Sequence, residues 1–246
     1  MTKATITQKP DGTLTFELTL SSQTIADTYQ QVLSEVGKTA EIKGFRPGKA
    51  PLSMVEATSD KSKLYSHVLE HLLPPAYSKV IHEHQLTPLI EPKVTPKGME
   101  IGKDWTLAVE VATAPTVDLG SYKQYVKTAL KKLKNLPAGK AGDAKPDDKL
   151  NLIFDALLAG SKLVVSPLLI QEESKSALSR LAKQLTELKL TVADYAKSLK
   201  KTPEELISQY KKSAEANLKL HFILSAIQKQ EKATDRKTTL DILSAL

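Results

Sequence analysis

The chain has 246 residues, a formal net charge of +7 and no cysteine. This length allows one or two domains, and the lack of cysteine excludes a disulfide framework, a thiolate nucleophile and a cysteine metal site. No apolar run is long enough to span a membrane and the start of the sequence has no apolar signal core, so we expect no membrane partner and a cytoplasmic location.

The positive charge is unevenly distributed. Residues 1–120 carry 12 Lys and Arg against 14 Asp and Glu, whereas residues 121–246 carry 23 against 14. A strongly basic protein often binds nucleic acid, but here only the second half is basic. Any binding site in the first half must therefore depend on the local placement of a few cations.

Strict alternation of apolar and polar residues over Thr13–Leu20 predicts a half-buried strand. Asp11–Gly12 before it is a hairpin turn signal, with Ala4–Gln8 as the expected partner strand. Ser21 or Ser22 is suited to cap the helix that follows. Apolar residues at helical spacing predict that helix, namely Ile25, Tyr29, Val32, Leu33 and Val36.

The next segment, Gly44–Pro51, reads Gly-Phe-Arg-Pro-Gly-Lys-Ala-Pro. Two glycines and two prolines in eight positions favour a tight, stiff loop over a helix or a strand. Nothing nearby in the sequence offers to bury Phe45, and an exposed aromatic beside an arginine is typical of a binding hot spot. Arg46 can make forked hydrogen bonds to a carboxylate or a phosphate.

Residues Lys43–Pro51 resemble the ribosome-docking signature of trigger factor, the bacterial chaperone at the nascent-chain exit tunnel. The resemblance implies contact with a large-subunit protein beside the tunnel and with nearby ribosomal RNA. Many members have a third cation where Pro47 stands here, which leaves Lys49 as the remaining cation. The alternative is an ordinary loop between two helices. The ribosome-binding residues that the resemblance implies are Gly44, Phe45, Arg46, Pro47, Gly48 and Lys49.

The rest of the first half predicts a small α+β domain that ends near Thr113. Pro51 suits the first turn of a second helix, and a longer helix begins at about Lys61, with a kink or a restart expected at Pro74–Pro75. Strands are expected over Glu91–Lys97 and Thr106–Ala112. This order of elements also resembles the ribosome-binding domain of the trigger factor family.

One competing motif lies in the longer helix. His67-Val68-Leu69-Glu70-His71 fits the H-x-x-E-H pattern of a class of zinc peptidases. The two imidazoles would stand one helical turn apart with a carboxylate between them. No second segment offers an obvious third ligand, so we regard these residues as polar side chains at the rim of a core and expect no metal.

The junction between the halves is basic. Ala114–Tyr122 is expected to be extended, Lys123–Asn135 to be an amphipathic helix rich in lysine, and Leu136–Asp148 to be a flexible linker. In complete trigger factors a prolyl isomerase domain follows the first domain. The segments here are too short for one, so we expect no isomerase activity. The helix is either a solvated spacer, which we favour, or a contact to ribosomal RNA.

From Lys149 onward the pattern predicts helices only. Ser166–Pro167, Thr191 with Asp194, and Thr202–Glu205 are helix-start signals, and a last short helix is expected from Thr239 to Leu246. The runs Asp155–Glu173 and Lys201–Leu206 resemble the C-terminal domain of the family. In that family, helical arms surround a cradle for unfolded chains, but periodicity cannot distinguish a buried apolar stripe from a displayed one.

The sequence therefore predicts an α+β N-terminal domain, with a small antiparallel sheet packed on helices, followed by an elongated all-α chaperone domain. The expected limits are 1–113 for ribosome binding, 114–148 for the linker and 149–246 for the cradle. The predicted function is a chaperone for nascent chains, and it is expected to be ATP-independent because no phosphate-binding glycine loop is present. We expect neither a cofactor nor a catalytic residue. The alternative is a basic helical RNA-binding or ribosome-assembly factor. Self-association into a weak homodimer is the remaining partnership that we consider.

Overall fold

The computed structural model describes residues 6–134 and 146–246. The beginning of the expected strand Ala4–Gln8 and nearly all of the expected linker Leu136–Asp148 lie outside the described residues. The side chains of Lys132 and Lys134 lie outside them as well. Within the described part, the chain forms two compact units, of which the first comprises residues 6–8 and 14–111 and the second residues 9–13, 112–134 and 146–246.

The first unit combines four strands with three helices. The sheet order is β1-β2-β4-β3, in which β1 is antiparallel to β2 and β3 is antiparallel to β4. The elements in chain order are β1 (Thr7–Gln8), β2 (Thr13–Leu20), α1 (Ser22–Thr39), α2 (Leu52–Thr58), α3 (Lys61–Glu83), β3 (Lys93–Gly98) and β4 (Trp105–Ala112). The alternating patterns thus lie on the two central strands.

The core of the first unit lies between one face of the sheet and the helices α1 and α3. The inward-facing side chains of β2 and β4 are all less than a tenth exposed, as the alternation predicts. Tyr65 lies at a ring-centroid distance of 5.4 Å from Trp105 and 6.3 Å from Tyr29. The buried strand residues are Leu14, Phe16, Leu18, Leu20, Trp105, Leu107, Val109 and Val111.

Helix α3 passes through Pro74 and Pro75 without restarting, so of the two expected outcomes, a kink or a restart, the restart is wrong and the kink stays a prediction. Both prolines face solvent, whereas Leu72, Leu73, Ala76 and Tyr77 on either side pack against the core. A proline removes a backbone hydrogen bond and crowds the preceding turn. The apolar contacts on both sides stabilise the helix as one continuous element despite that cost.

The second unit is helical in its described part, with one isolated antiparallel bridge between Asp118 and Lys162. Its helices are α4 (Tyr122–Lys134), α5 (Pro146–Gly160), α6 (Pro167–Glu187), α7 (Val192–Ser198), α8 (Pro203–Gln230) and α9 (Arg236–Ser244). Helices α7 and α8 begin with capping boxes, as predicted. In α8 the Glu205 backbone N–H donates to Thr202 Oγ1, and the Thr202 N–H donates to Glu205 Oε2 at 2.8 Å.

Helix α9 starts earlier than predicted. The sequence analysis places its start at Thr239, but Asp235 caps it by accepting a hydrogen bond from the backbone N–H of Thr238 at 2.7 Å. Thr239 is instead fully buried in the second turn, where its hydroxyl donates to the carbonyl of Asp235. The aspartate cap was the signal that pattern reading passed over.

Two apolar clusters organise the second unit. One joins α4, α5, α9 and the C-terminal half of α8, and a smaller one joins the end of α6, α7 and the start of α8. The apolar edge of α4 is buried in the first cluster through Tyr122, Val126 and Leu130. This helix is therefore packed rather than a spacer surrounded by solvent, which differs from the expectation that we favoured.

Among the residues that the structure describes, none of the helices combines the length and the apolar character that crossing a membrane requires.

Candidate functional site

The candidate docking loop connects α1 to α2 through two consecutive tight turns. The Phe45 N–H donates to the Ile42 carbonyl and the Lys49 N–H donates to the Arg46 carbonyl, both at 3.0 Å. Gly44 and Gly48 occupy the third position of each turn, with φ values of 93° and 77°. A positive φ at that position is what a type II turn requires, and Pro47 at the second position of the second turn fits the same type.

The second turn leaves no room for a side chain at residue 48. A Cβ placed on Gly48 would lie 2.9 Å from the backbone oxygen of Lys38 at the end of α1, whereas one on Gly44 would meet nothing within 4 Å. The second turn is thus packed against the helix that precedes the loop, whereas the first turn has open space at Gly44 although its first residue, Ile42, is buried. Glycine is required at residue 48 both for its φ value and for space.

The two helices that carry the loop are joined by a hydrogen bond and by close packing. Tyr29 of α1 donates its hydroxyl to Glu56 of α2 at 2.9 Å. A Cβ on Gly37 would lie 3.4 Å from the Leu52 side chain, and Val55 is fully buried. Burial raises the pKa of Tyr29 to about 12, and the hydrogen bond to Glu56 adds to this, so the hydroxyl keeps its proton throughout the neutral range.

The loop displays the side chains that the sequence analysis selected. Phe45 is 41% exposed, and Arg46 and Lys49 are exposed beside it. Among the described residues, neither of these two cations has a salt-bridge partner. An aromatic side chain and unpaired cations on a braced loop can bind an anionic surface that has an apolar recess.

The histidines of the competing motif lie on the exposed side of α3. His67 is 3.4 Å from Glu70 on the same helix, and His71 is 3.5 Å from Glu35 of α1. Within the described ranges, no group of three or more His, Cys, Asp or Glu residues is arranged to hold a metal ion. Separate surface contacts of this kind do not supply the ligand set of a peptidase.

A second candidate surface lies in the second unit, in the segments where α6 ends, α7 follows and α8 begins. Its members are large apolar side chains with 43% to 68% exposure, and we call it the distal apolar surface: Leu188, Leu190, Leu199 and Ile207. They belong to the same helices and connections as the smaller buried cluster of Leu181, Leu185, Ala196 and Leu206, which does not include them. Sequence reasoning missed them because only Ile207 lies inside a helix, whereas Leu188, Leu190 and Leu199 lie in the connections after α6 and α7, where helical periodicity gives no signal.

Comparison with known proteins identifies both halves of the chain. The profile of the family described as bacterial trigger factor protein (TF) matches residues 2–135, which is more than half of the chain. The profile described as bacterial trigger factor protein (TF) C-terminus matches residues 126–237. The two matched ranges overlap within α4.

Curated relatives match over part of their length. The trigger factor of Streptococcus gordonii is 38% identical over 112 residues, which covers 46% of this chain and 26% of the relative. That of Streptococcus mutans is 34% identical over 139 residues, with 56% and 31% covered. The matched segment thus spans about a quarter to a third of these relatives.

A solved structure concerned with promiscuous substrate recognition in the folding and assembly activities of the trigger factor chaperone has a similar fold. It aligns with a TM-score of 0.57 over 94% of this chain and 86% of the other chain. The sequence identity is 11%, so this likeness concerns the fold alone.

Proposed function

The chain belongs to the trigger factor family, and on that premise we propose that it is a cytoplasmic, ATP-independent chaperone that docks at the ribosomal exit tunnel and shields nascent chains. The observation that carries the proposal is the exposure of Phe45 on the two-turn loop. An aromatic ring without a place in its own core is available to a partner.

The docking residues that we propose are Gly44, Phe45, Arg46, Pro47, Gly48 and Lys49. Phe45 would enter an apolar recess on a large-subunit protein, and Arg46 and Lys49 would contact acidic side chains or RNA phosphates. The glycines and the proline contribute by fixing the loop before binding, which lowers the entropy lost on docking.

The holding function is assigned to the second unit, with the distal apolar surface as the first contact for an unfolded chain. Its four apolar side chains are interspersed with Lys189, Lys197, Lys200 and Lys201, all of them exposed. Apolar groups bind apolar segments of a client, and a charged surround keeps the protein soluble and the binding reversible. Such binding needs no nucleotide.

We propose that this chain lacks prolyl isomerase activity. The two family profiles adjoin within α4 and cover the N-terminal and C-terminal parts of trigger factor. The proposed limits stay 1–113, 114–148 and 149–246, with the addition that α4 packs with the later helices. A weak homodimer stays a prediction.

Ribosome co-sedimentation tests the proposal. We compare the wild type with Phe45→Ala/Arg46→Ala and with the control Ile101→Ala/Lys103→Ala, which removes an equally exposed apolar side chain and a cation from the same unit. Only the Phe45→Ala/Arg46→Ala variant should fail to co-sediment with ribosomes. It should still suppress the aggregation of a denatured client in solution without ATP, whereas undiminished docking would refute the site.

The second candidate, an RNA-binding or ribosome-assembly factor without chaperone activity, is favoured by one observation. Helix α4 carries five lysines and no acidic residue. This alternative predicts that the wild-type protein fails to suppress client aggregation at any ratio, so the same aggregation assay separates the two functions.

A further inference from the structure

We propose that one flank of α4 is a second ribosome contact, separate from the loop, where Lys127 and Lys131 bind RNA phosphates. The proposal rests on the proposed function in naming the ribosome as the source of that RNA. It concerns residues of the second unit only and does not depend on Phe45 or Arg46.

The first argument is the charge pattern of the helix. Solvated helices usually mix both signs, as α8 does where Lys219 lies 2.7 Å from Glu215 one turn away. Helix α4 has no acidic residue in its 13 positions. Lys127 and Lys131 are one turn apart on the same side of the helix, where like charges repel each other. An anion bound between them would remove this repulsion.

The second argument is that neighbouring groups do not neutralise these two lysines. Lys123 forms a salt bridge with Glu231 at 2.8 Å, and Lys149 donates to the backbone carbonyl of Ser244 at 2.9 Å. Within residues 6–134 and 146–246, Lys127 and Lys131 are exposed and absent from every ion pair. Both ammonium groups are therefore available to a partner.

The surroundings of the two lysines also favour an anion. Lys127, Lys131 and Lys149 line one open depression with residues 244–246, which are the last residue of α9 and the two that follow it. On the opposite flank of α4, Tyr125 and Thr128 line a groove with Asp155 of α5. Lys127 and Lys131 thus lie on the same flank of α4, and the packed edge with Val126 fixes the orientation of the helix. A helix-end dipole does not account for Lys127, which lies in the middle of the helix.

Phosphate is the occupant that these features fit. Two cations one turn apart on a fixed helix match successive charges along a nucleic-acid backbone, and they offer no donor pattern that would read a base. The contact should therefore be insensitive to RNA sequence and strongly weakened by salt.

The test measures ribosome binding and binding of a labelled RNA duplex over a series of salt concentrations. The variant is Lys127→Gln/Lys131→Gln, and the control is Lys175→Gln/Lys183→Gln, which removes the same charge from exposed positions of α6. For both partners, the variant should lower the slope of log K against log salt by about 1 to 2 and weaken binding roughly tenfold at ~0.1 M salt, whereas the control should not.

Two results would overturn the inference. Slopes equal to those of the α6 control would show that the lysines contact no phosphate. Weaker ribosome binding with unchanged duplex binding would point to a ribosomal protein instead of RNA. Failure of the proposed function is recognised separately, because it would appear as normal ribosome docking by Phe45→Ala/Arg46→Ala.

Discussion

The docking loop and the distal apolar surface both display large apolar side chains, but they do so by different means. Phe45 is displayed because two glycine turns leave its segment outside any core. Leu188, Leu190 and Leu199 lie in the connections that follow α6 and α7, Ile207 follows the buried Leu206 in α8, and none of the four is among the residues of the small cluster in these helices. Local backbone geometry thus exposes the first surface, whereas the second consists of apolar residues that the small cluster does not include.

The largest expected effect on stability is a difference between two adjacent residues of α8, Leu206 and Ile207. Leu206 is 1% exposed and Ile207 is 49% exposed. Leu206→Ala should lower the free energy of unfolding by about 2–4 kcal/mol, because it leaves a cavity, whereas Ile207→Ala should change it by less than about 0.5 kcal/mol. Urea denaturation measures both, and similar losses would show that Ile207 belongs to the core.

Next in size is the contrast between the two glycines of the loop. Gly48→Ala should lower the free energy of unfolding by about 1–3 kcal/mol, because the added Cβ clashes with the backbone of Lys38 and the φ value is unfavourable for alanine. Gly44→Ala should lower it by roughly 1–2 kcal/mol, because only the unfavourable φ value contributes there. Gly48→Ala should also weaken ribosome binding, measured by co-sedimentation, more than Gly44→Ala does. A larger loss for Gly44→Ala would show that the requirement for glycine lies in the first turn.

A smaller effect is expected at the bond between α1 and α2. Tyr29→Phe removes the hydroxyl that donates to Glu56 and should lower the free energy of unfolding by about 1 kcal/mol. Since the folded-state pKa of Tyr29 is raised from 10.0 to about 12, this stability is present below pH 10 and is lost as the pH rises through 12. The stabilities of the wild type and Tyr29→Phe, measured by unfolding at increasing alkaline pH, should therefore converge. A difference in stability that stays constant with pH would contradict a stabilising hydrogen bond from Tyr29 to Glu56.

The smallest effect concerns the end of α4 that carries Lys123. Hydrogen bonds from Lys123 and then from Tyr122 lower the pKa of Glu231 below its usual range. A lowered carboxylate pKa stabilises the folded state above the usual value of 4.5, and the contribution is lost as the pH falls through the folded-state pKa. Glu231→Gln should therefore be less stable than the wild type at neutral pH and nearly equal to it in acid, as thermal melts would measure.

Much of the first unit could be read from the sequence. The two alternating strands lie at the expected places with their apolar faces buried, and the glycines and Pro47 form the turns that their chemistry favours. Capping boxes at Thr191 and Thr202 likewise mark the starts of α7 and α8. These features depend on interactions within a few residues, which a sequence displays directly.

The continuity of α3 through its prolines and the burial of α4 were decided only by tertiary packing, as was the choice of which leucines stay exposed. Each depends on neighbours far away in the chain, such as the core against Ala76 and Tyr77 or the helices around Val126. Helical periodicity states that a residue is apolar and on which face of its helix it lies. Whether that face is covered depends on the volume that the other elements fill.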